Sequence, residues 1–175
     1  FMKLYQGLKL QELGILNPLV NEYLMGKSAL ERLYTYKPEM TSIQAAIDAK
    51  QSFSNREVLV NALYNQYSDL DLSAQTQQNI EALKEENTYS VCAAHQLCLF
   101  TGPSYFIFKI LSAIKLSQEL KAQFPQHNFV PVYWMGSEDH DFEEISKAVL
   151  YGKPITWEND EKGAVGRHSL KGINL

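Results

Sequence analysis

The chain has 175 residues, 45% of them hydrophobic and 21% charged, and a formal net charge of −4. This length suits one domain, or one domain with a helical appendage. The acidic balance gives no general attraction to nucleic acid or to anionic membrane, and no apolar run reaches the length needed to span a bilayer.

The chain start, Phe1-Met2-Lys3, does not read as a signal peptide, because polar residues and Gly7 soon interrupt the apolar run. The first half is then helical in pattern. Asn17-Pro18-Leu19-Val20 supplies an N-cap with proline in the first turn. Ser28-Ala29-Leu30-Glu31 and Ser54-Asn55-Arg56-Glu57 both have the form of a capping box, and Phe53 is placed to staple against Val58. Val58, Leu59, Ala62, Leu63 and Tyr67 form the expected apolar face of that second helix. Ser73 caps a further polar helix running to about Glu86, with Ile80 and Leu83 as its contacts. Tyr5, Tyr23, Tyr34, Tyr36, Tyr64 and Tyr67 read as packing residues with a wet hydroxyl. Residues 1–86 are expected to form this helical layer and 87–175 a sheet-bearing core.

Tyr89 to His95 is a short apolar run with β-branched and aromatic content, the pattern of a buried strand. After Gln96–Phe100 and Thr101-Gly102-Pro103-Ser104, the spacing turns helical to about Lys121, with Phe106, Ile110, Ala113, Ile114 and Leu120 on one face. Phe129 to Met135 reads as a second buried strand. Strand, long helical crossover and strand imply a parallel pair joined right-handedly, hence an α/β fold. Beyond it, Ser146–Tyr151 and Ile155–Trp157 read as a short antiparallel pair turned at Gly152-Lys153-Pro154, and Asn159–Gly163 as a polar loop. Cys92 and Cys98 have five residues between them, so they form neither a CxxC redox pair nor a usual zinc knuckle. They read as small apolar side chains, with no disulfide needed in a reducing cytoplasm.

The polar residues gather where the strands end. His95 and Gln96 close the first strand, Thr101, Gly102 and Pro103 open the helix, and Gly136-Ser137-Glu138-Asp139-His140-Asp141 follows the second strand. In open α/β sheets this corner is where ligands bind, and a helix start favours anions, phosphate above all.

Ala94-His95-Gln96-Leu97, Phe100-Thr101-Gly102-Pro103, Val130-Pro131-Val132-Tyr133-Trp134 and Glu138-Asp139-His140-Asp141-Phe142-Glu143-Glu144-Ile145, in this order and spacing, resemble the bacillithiol biosynthesis cysteine-adding enzyme family, BshC. Ile155-Thr156-Trp157 and Val165-Gly166-Arg167 fit the same pattern. The resemblance implies a Rossmann-type, nucleotidyltransferase-like core with a partial parallel sheet, in a chain that is the N-terminal part of a longer cytoplasmic enzyme. It implies a ligase joining cysteine to the amino group of glucosaminyl-malate. Since a free carboxylate is a poor electrophile, it also implies activation by ATP or another nucleotide with Mg²⁺. The partners implied are these small molecules, with neither nucleic acid nor membrane, and a homodimer of the full-length protein stays open.

On that resemblance His95, Gln96, Thr101 and Gly102 are expected at phosphate, His95, Asp139 and His140 in catalysis, and Glu138, Asp141 and Arg167 at substrate. Ala94 stands where the family leads one to expect glycine before the histidine, and its methyl would narrow a pocket that needs close backbone approach. Each group also has a plain structural reading: a turn with a satisfied imidazole at His95-Gln96, an N-cap at Thr101, a solvated loop capped by Asp139 or Asp141, and a surface arginine at Arg167. Of Glu143 and Glu144, read as a solvated helical face, Glu144 is the better site candidate. A metal site built from Asp139, His140 and Asp141 ranks third, because adjacent residues rarely all point inward and no HExxH pattern is present. The functional rivals are a non-catalytic nucleotide- or metabolite-binding module and a metal-dependent hydrolase.

Overall fold

A computed structural model describes residues 9–37, 39–50 and 52–171. Tyr5 and the Phe1-Met2-Lys3 start lie outside the described residues. The chain packs as two units, 1–52 and 53–175.

In the first unit, α1 (Pro18–Leu24) starts as its sequence dictates: Asn17 Oδ1 accepts the Val20 N–H at 2.9 Å, with Pro18 at the first helical position. The capping box at Ser28 does not form. Ser28–Leu33 is a 3-10 helix preceded by Lys27, and Ser28 lies inside it, where its hydroxyl cannot cap. Tyr23 and Tyr34 pack edge to face with centroids 5.2 Å apart. α2 (Thr41–Asp48) follows and buries Ile47.

The second unit holds the sheet. β1 (Thr88–His95) and β2 (Asn128–Met135) pair in parallel, from Thr88 opposite Asn128 to His95 opposite Met135. The crossover between them carries α5 (Ser104–Gln123), packed on one face through Phe124 against Phe129 and Phe106 against Tyr133. Ala113, Ser117 and Leu120 are its buried positions, with Phe106 and Ile110 half-buried. Ile114, expected on this face, is exposed; the inward place one turn beyond Ala113 goes to Ser117, which donates its hydroxyl to the Ala113 carbonyl at 2.8 Å.

The other face is covered by α3 (Arg56–Gln66) and α4 (Ala74–Ala82), where Val60, Ile80, Leu83 and Val130 form the core. The expected division at 86/87 follows a change in secondary structure. The packing divides between Ser52 and Phe53, because α3 and α4 bury their apolar residues on the sheet. Ser73 caps α4 as expected, accepting from Thr76 N–H at 3.1 Å. α3 departs from expectation. Asn55, not Ser54, occupies its N-cap without a side-chain bond, and Phe53 and Val58 are 49% and 68% exposed, so no staple forms. Its inward face is Val60, Leu63, Tyr64 and Tyr67 rather than one including Val58, Leu59 and Ala62. The rotation is set by Arg56, whose guanidinium donates to the carbonyls of Leu83, Glu86 and Thr88 at 3.0, 3.3 and 3.4 Å.

After β2 come α6 (Phe142–Ile145) and a hairpin of β3 (Lys147–Leu150) and β4 (Lys153–Thr156). Its two-residue turn is Tyr151-Gly152, both at positive φ (51° and 77°), the twist that tight hairpins need; Pro154 therefore lies in β4, opposite Val149, not in the turn. Ile145, Trp157 and Val165 form a second small core.

Candidate active site at the strand ends

The parallel register delivers the ends of β1 and β2 together, and Gly136 N–H extends the ladder by donating to the His95 carbonyl at 2.9 Å. His95 and Gln96 are each only 6% exposed. Buried polar groups must find partners, and these partners build the site. Gln96 Nε2 donates to Asp139 Oδ2 at 2.9 Å and to Glu144 Oε2 at 2.6 Å, joining the end of β1 to the loop after β2 and to α6. His95 Nδ1 lies 3.0 Å from the Gln96 carbonyl, which can only accept, so Nδ1 carries a proton. His95 Nε2 lies 2.9 Å from Tyr105 Oη in the first turn of α5, and Tyr105 is 3.0 Å from Glu144 Oε1. Glu144 Oε1 is itself 3.5 Å from Nε2.

Three further groups hold this cluster. Tyr133 Oη donates to the His95 and Gln96 carbonyls (2.8 and 3.2 Å). Lys109 Nζ donates to the Ala94 carbonyl at 2.9 Å and sits 5.8 Å from the centre of the Tyr105 ring. Cys98 Sγ is 3.6 Å from His95 Nδ1 and 3.8 Å from the Glu144 carbonyl. Burial, and then the Glu144 carboxylate, push the Cys98 thiol above its ordinary pKa, so it is no activated nucleophile. Burial first and the bond to Glu144 second raise Tyr105, which keeps the phenol protonated.

The remaining expected site residues divide. Asp139 belongs to the cluster, and its Oδ1 also accepts the N–H groups of His140 and Asp141 at 2.6 and 3.0 Å. Asp141 caps α6 by accepting from Glu144 N–H at 3.2 Å. Glu138 and His140 are exposed on the same loop. Arg167 reaches this loop through its backbone neighbours: Val165 N–H donates to the Asp139 carbonyl and Gly166 N–H to that of Ser137, at 2.7 and 2.8 Å. A Cβ on Gly166 would overlap Ser137, so glycine there permits the approach. Thr101 is exposed, at positive φ (68°) in a 3-10 turn, and does not cap α5; Pro103 holds the N-cap position without a side-chain bond. Gly102 donates its N–H to Leu99 O at 2.7 Å and lies against Cys98. Among the described residues no three His, Cys, Asp or Glu side chains are grouped to hold a metal ion.

Sequence reasoning missed Tyr105, Lys109 and Tyr133. The one available signal was polar tips, at Tyr105 and Lys109, spaced one turn apart among the apolar Phe106, Ile107, Phe108 and Ile110.

As a class, this is an α/β domain with helices on both faces of a parallel pair and a hydrogen-bonded polar cluster at the strand ends. Residues 3–175 match the family model described as "Bacillithiol biosynthesis BshC, N-terminal Rossmann-like domain", and the chain belongs to that family. It is 45% identical over 167 residues to "Putative cysteine ligase BshC" of Flavobacterium psychrophilum, covering 93% of this chain and 32% of that protein. Proteins of the same name from Flavobacterium johnsoniae and Cytophaga hutchinsonii are also 45% identical, over 93% and 94% of this chain and 31% and 32% of their own lengths. The chain thus spans about a third of the curated relatives it matches. No helix among the described residues is long and apolar enough to cross a membrane.

Proposed function

We propose that this chain is the N-terminal part of a cytoplasmic ligase that joins cysteine to the amino group of glucosaminyl-malate. The observation that carries the reading is the buried His95, hydrogen-bonded to Tyr105 at the start of α5 and linked through Gln96 to Asp139 and Glu144. Family membership supplies the chemistry this cluster is set against.

The start of α5 suits an anion. Its N-cap is a proline with no side-chain bond, so no side chain competes for the first-turn N–H groups, and the first turn holds no acidic residue. In this reading Thr101, Gly102, Gln96 and His95 form the wall against which the phosphates of a nucleotide lie, ATP with Mg²⁺ or an equivalent. The nucleotide, when bound, converts a cysteine carboxylate oxygen into a leaving group. The protein's part is to hold the carboxyl and the attacking amine together and to place a proton where negative charge develops. Both ring nitrogens of His95 have partners within the protein, so its help to phosphate passes through Tyr105 unless that hydroxyl moves aside. Asp139 and His140 orient the amine, while Glu138, Asp141 and Arg167 border the substrate, Arg167 offering a guanidinium to a malate carboxylate.

The test is ligation by the full-length protein carrying His95→Ala. A loss of roughly 100-fold or more is expected of a proton-transferring imidazole; a wild-type rate removes His95 from the mechanism. Nucleotide binding without turnover in the wild-type full-length protein would favour a binding module instead.

A further inference from the structure

Resting on that reading, we propose that Tyr105 is the catalytic group of this site: its hydroxyl touches the ligand and hands it a proton that His95 replaces. Three observations carry this. The first is a count of protons. The Gln96 carbonyl fixes a proton on Nδ1, and Tyr105 has one hydroxyl proton to share between His95 Nε2 at 2.9 Å and Glu144 Oε1 at 3.0 Å. With a neutral imidazole, Tyr105 donates to Nε2 and Glu144 loses that donor. With an imidazolium, Nε2 donates to Tyr105 and Tyr105 donates onward to Glu144. The two states differ by one proton and by the direction in which the hydroxyl points.

The second observation is access. The His95 side chain is 3% exposed, pinned at Nδ1 and flanked by the rings of Tyr105 and Phe106 at 5.2 and 5.4 Å. Tyr105 is 43% exposed and the Glu144 side chain 37%. A ligand arriving from solvent therefore meets Tyr105 and Glu144 before His95. The third is the surroundings. Tyr105 lies in the first turn of α5, and Lys109, one turn on, brings a positive charge to its ring. Both features favour a negatively charged oxygen beside the phenol, against the Glu144 carboxylate 3.0 Å from the same hydroxyl, which opposes one. Burial and Glu144 keep the phenol protonated, so it is a donor.

The step starts from the imidazolium, and within it protons balance without a further reactant. The Tyr105 O–H proton passes to an anionic oxygen of the ligand as the Nε2 proton passes to Tyr105 oxygen. The ligand gains one proton, the phenol is restored, and the imidazole is left neutral with its remaining proton on Nδ1.

The test uses full-length Tyr105→Phe, which keeps the ring and removes the hydroxyl. We expect kcat to fall roughly 100-fold, with KM for the amine substrate changed far less. In histidine-¹⁵N-labelled protein, with His95 assigned by its absence in His95→Ala, the Nε2 resonance is expected to move when the hydroxyl is removed. Unchanged kcat in Tyr105→Phe, with His95→Ala impaired, overturns the proposal and leaves the proposed function standing. Unchanged kcat in both variants overturns the proposal and removes His95 from the mechanism, while the ligation itself stands. A lost rate with an unmoved His95 resonance, or a rise in KM alone, also overturns the proton relay. Should Tyr105→Phe fail to fold, a ring-fluorinated tyrosine at 105 keeps the shape and makes the phenol more acidic: kcat that follows ring acidity supports the relay, and unchanged kcat overturns it.

Discussion

Gly102 sits between the end of β1 and the start of α5, and two separate constraints exclude a side chain there. Its backbone, φ 58° and ψ −146°, lies in a region essentially reserved for glycine, costing an alanine about 1–3 kcal/mol. A Cβ would also stand 2.6 Å from Cys98 Cβ and 3.1 Å from its Sγ. Overpacking of this kind adds about 1–3 kcal/mol, so Gly102→Ala is expected to cost about 2–6 kcal/mol in all. Gly152 separates the two terms: it has φ 77° but nothing within 4 Å of its would-be Cβ. Gly152→Ala therefore pays only for backbone handedness, about 1–2 kcal/mol. The assay is urea unfolding of the full-length protein with the variants run in parallel. Adding Cys98→Gly to Gly102→Ala removes the obstructing atoms and should recover the steric part, read as coupling in a double-mutant cycle. If Gly102→Ala costs no more than Gly152→Ala, or if Cys98→Gly recovers nothing, the close approach of residues 98 and 102 is not what requires glycine.

Val60 is fully buried, and Val60→Ala deletes two carbons: about 1.6 kcal/mol of transfer energy plus a cavity term, so about 2–3 kcal/mol in all. Val58→Ala, at a site 68% exposed, should stay within about 0.5 kcal/mol, and equal losses in urea unfolding would refute the assigned face of α3. The Cys98 thiol, raised by burial and by Glu144, should be alkylated more slowly at mildly alkaline pH than exposed Cys92, as read by peptide mass mapping; faster labelling of Cys98 would contradict its surroundings. Glu81 is held below the usual carboxylate range by its bonds from Lys84 and then Tyr64. A depressed folded-state pKa contributes stability above the unfolded value and loses it as pH falls through the folded one. The stability difference between wild type and Glu81→Gln should therefore shrink on acidification, and a difference that grows would contradict the sign.

The strands were legible because each is a single apolar run: residues 89–95 and 129–135 are strand, each beginning one residue earlier. Their parallel pairing followed from the length of the crossover alone. The caps at Asn17 and Ser73 were legible because donor and acceptor lie three residues apart. The inward face of α3 was not, because it is set by Arg56 reaching carbonyls 27 to 32 residues away. Nor was the hairpin turn, since Tyr151 at positive φ begins it one residue before the Gly152-Lys153-Pro154 that marks a turn in the sequence. The site divided along the same line. His95, Gln96 and Asp139 stood out as polar residues after apolar runs. Tyr105, Lys109 and Tyr133 did not, and bonds across 10 and 39 residues for Tyr105, 15 for Lys109 and 38 for Tyr133 give them a place in the cluster.

The acidic run Glu138-Asp139-His140-Asp141 shows why a structural and a functional reading of the same residues need not compete. Every bond given to Asp139 is structural: Oδ1 takes two backbone N–H groups of its own loop and Oδ2 takes Gln96. Asp141 is occupied in capping α6, the helix that carries Glu144. The negative charge of these two carboxylates is thus met by N–H donors, which offsets their crowding. Asp139→Ala would free Gln96 and the loop together, so a loss of activity in that variant would report the collapse of a scaffold as readily as the loss of a catalytic group. Asp139→Asn keeps the acceptor Oδ1 and removes the charge, and it also replaces Oδ2, which accepts from Gln96, with an N–H donor. Activity retained in Asn and lost in Ala would make Asp139 a positioning residue; activity lost in both but retained in Gln96→Ala, which breaks the same bond and keeps the charge, would put that charge into the chemistry.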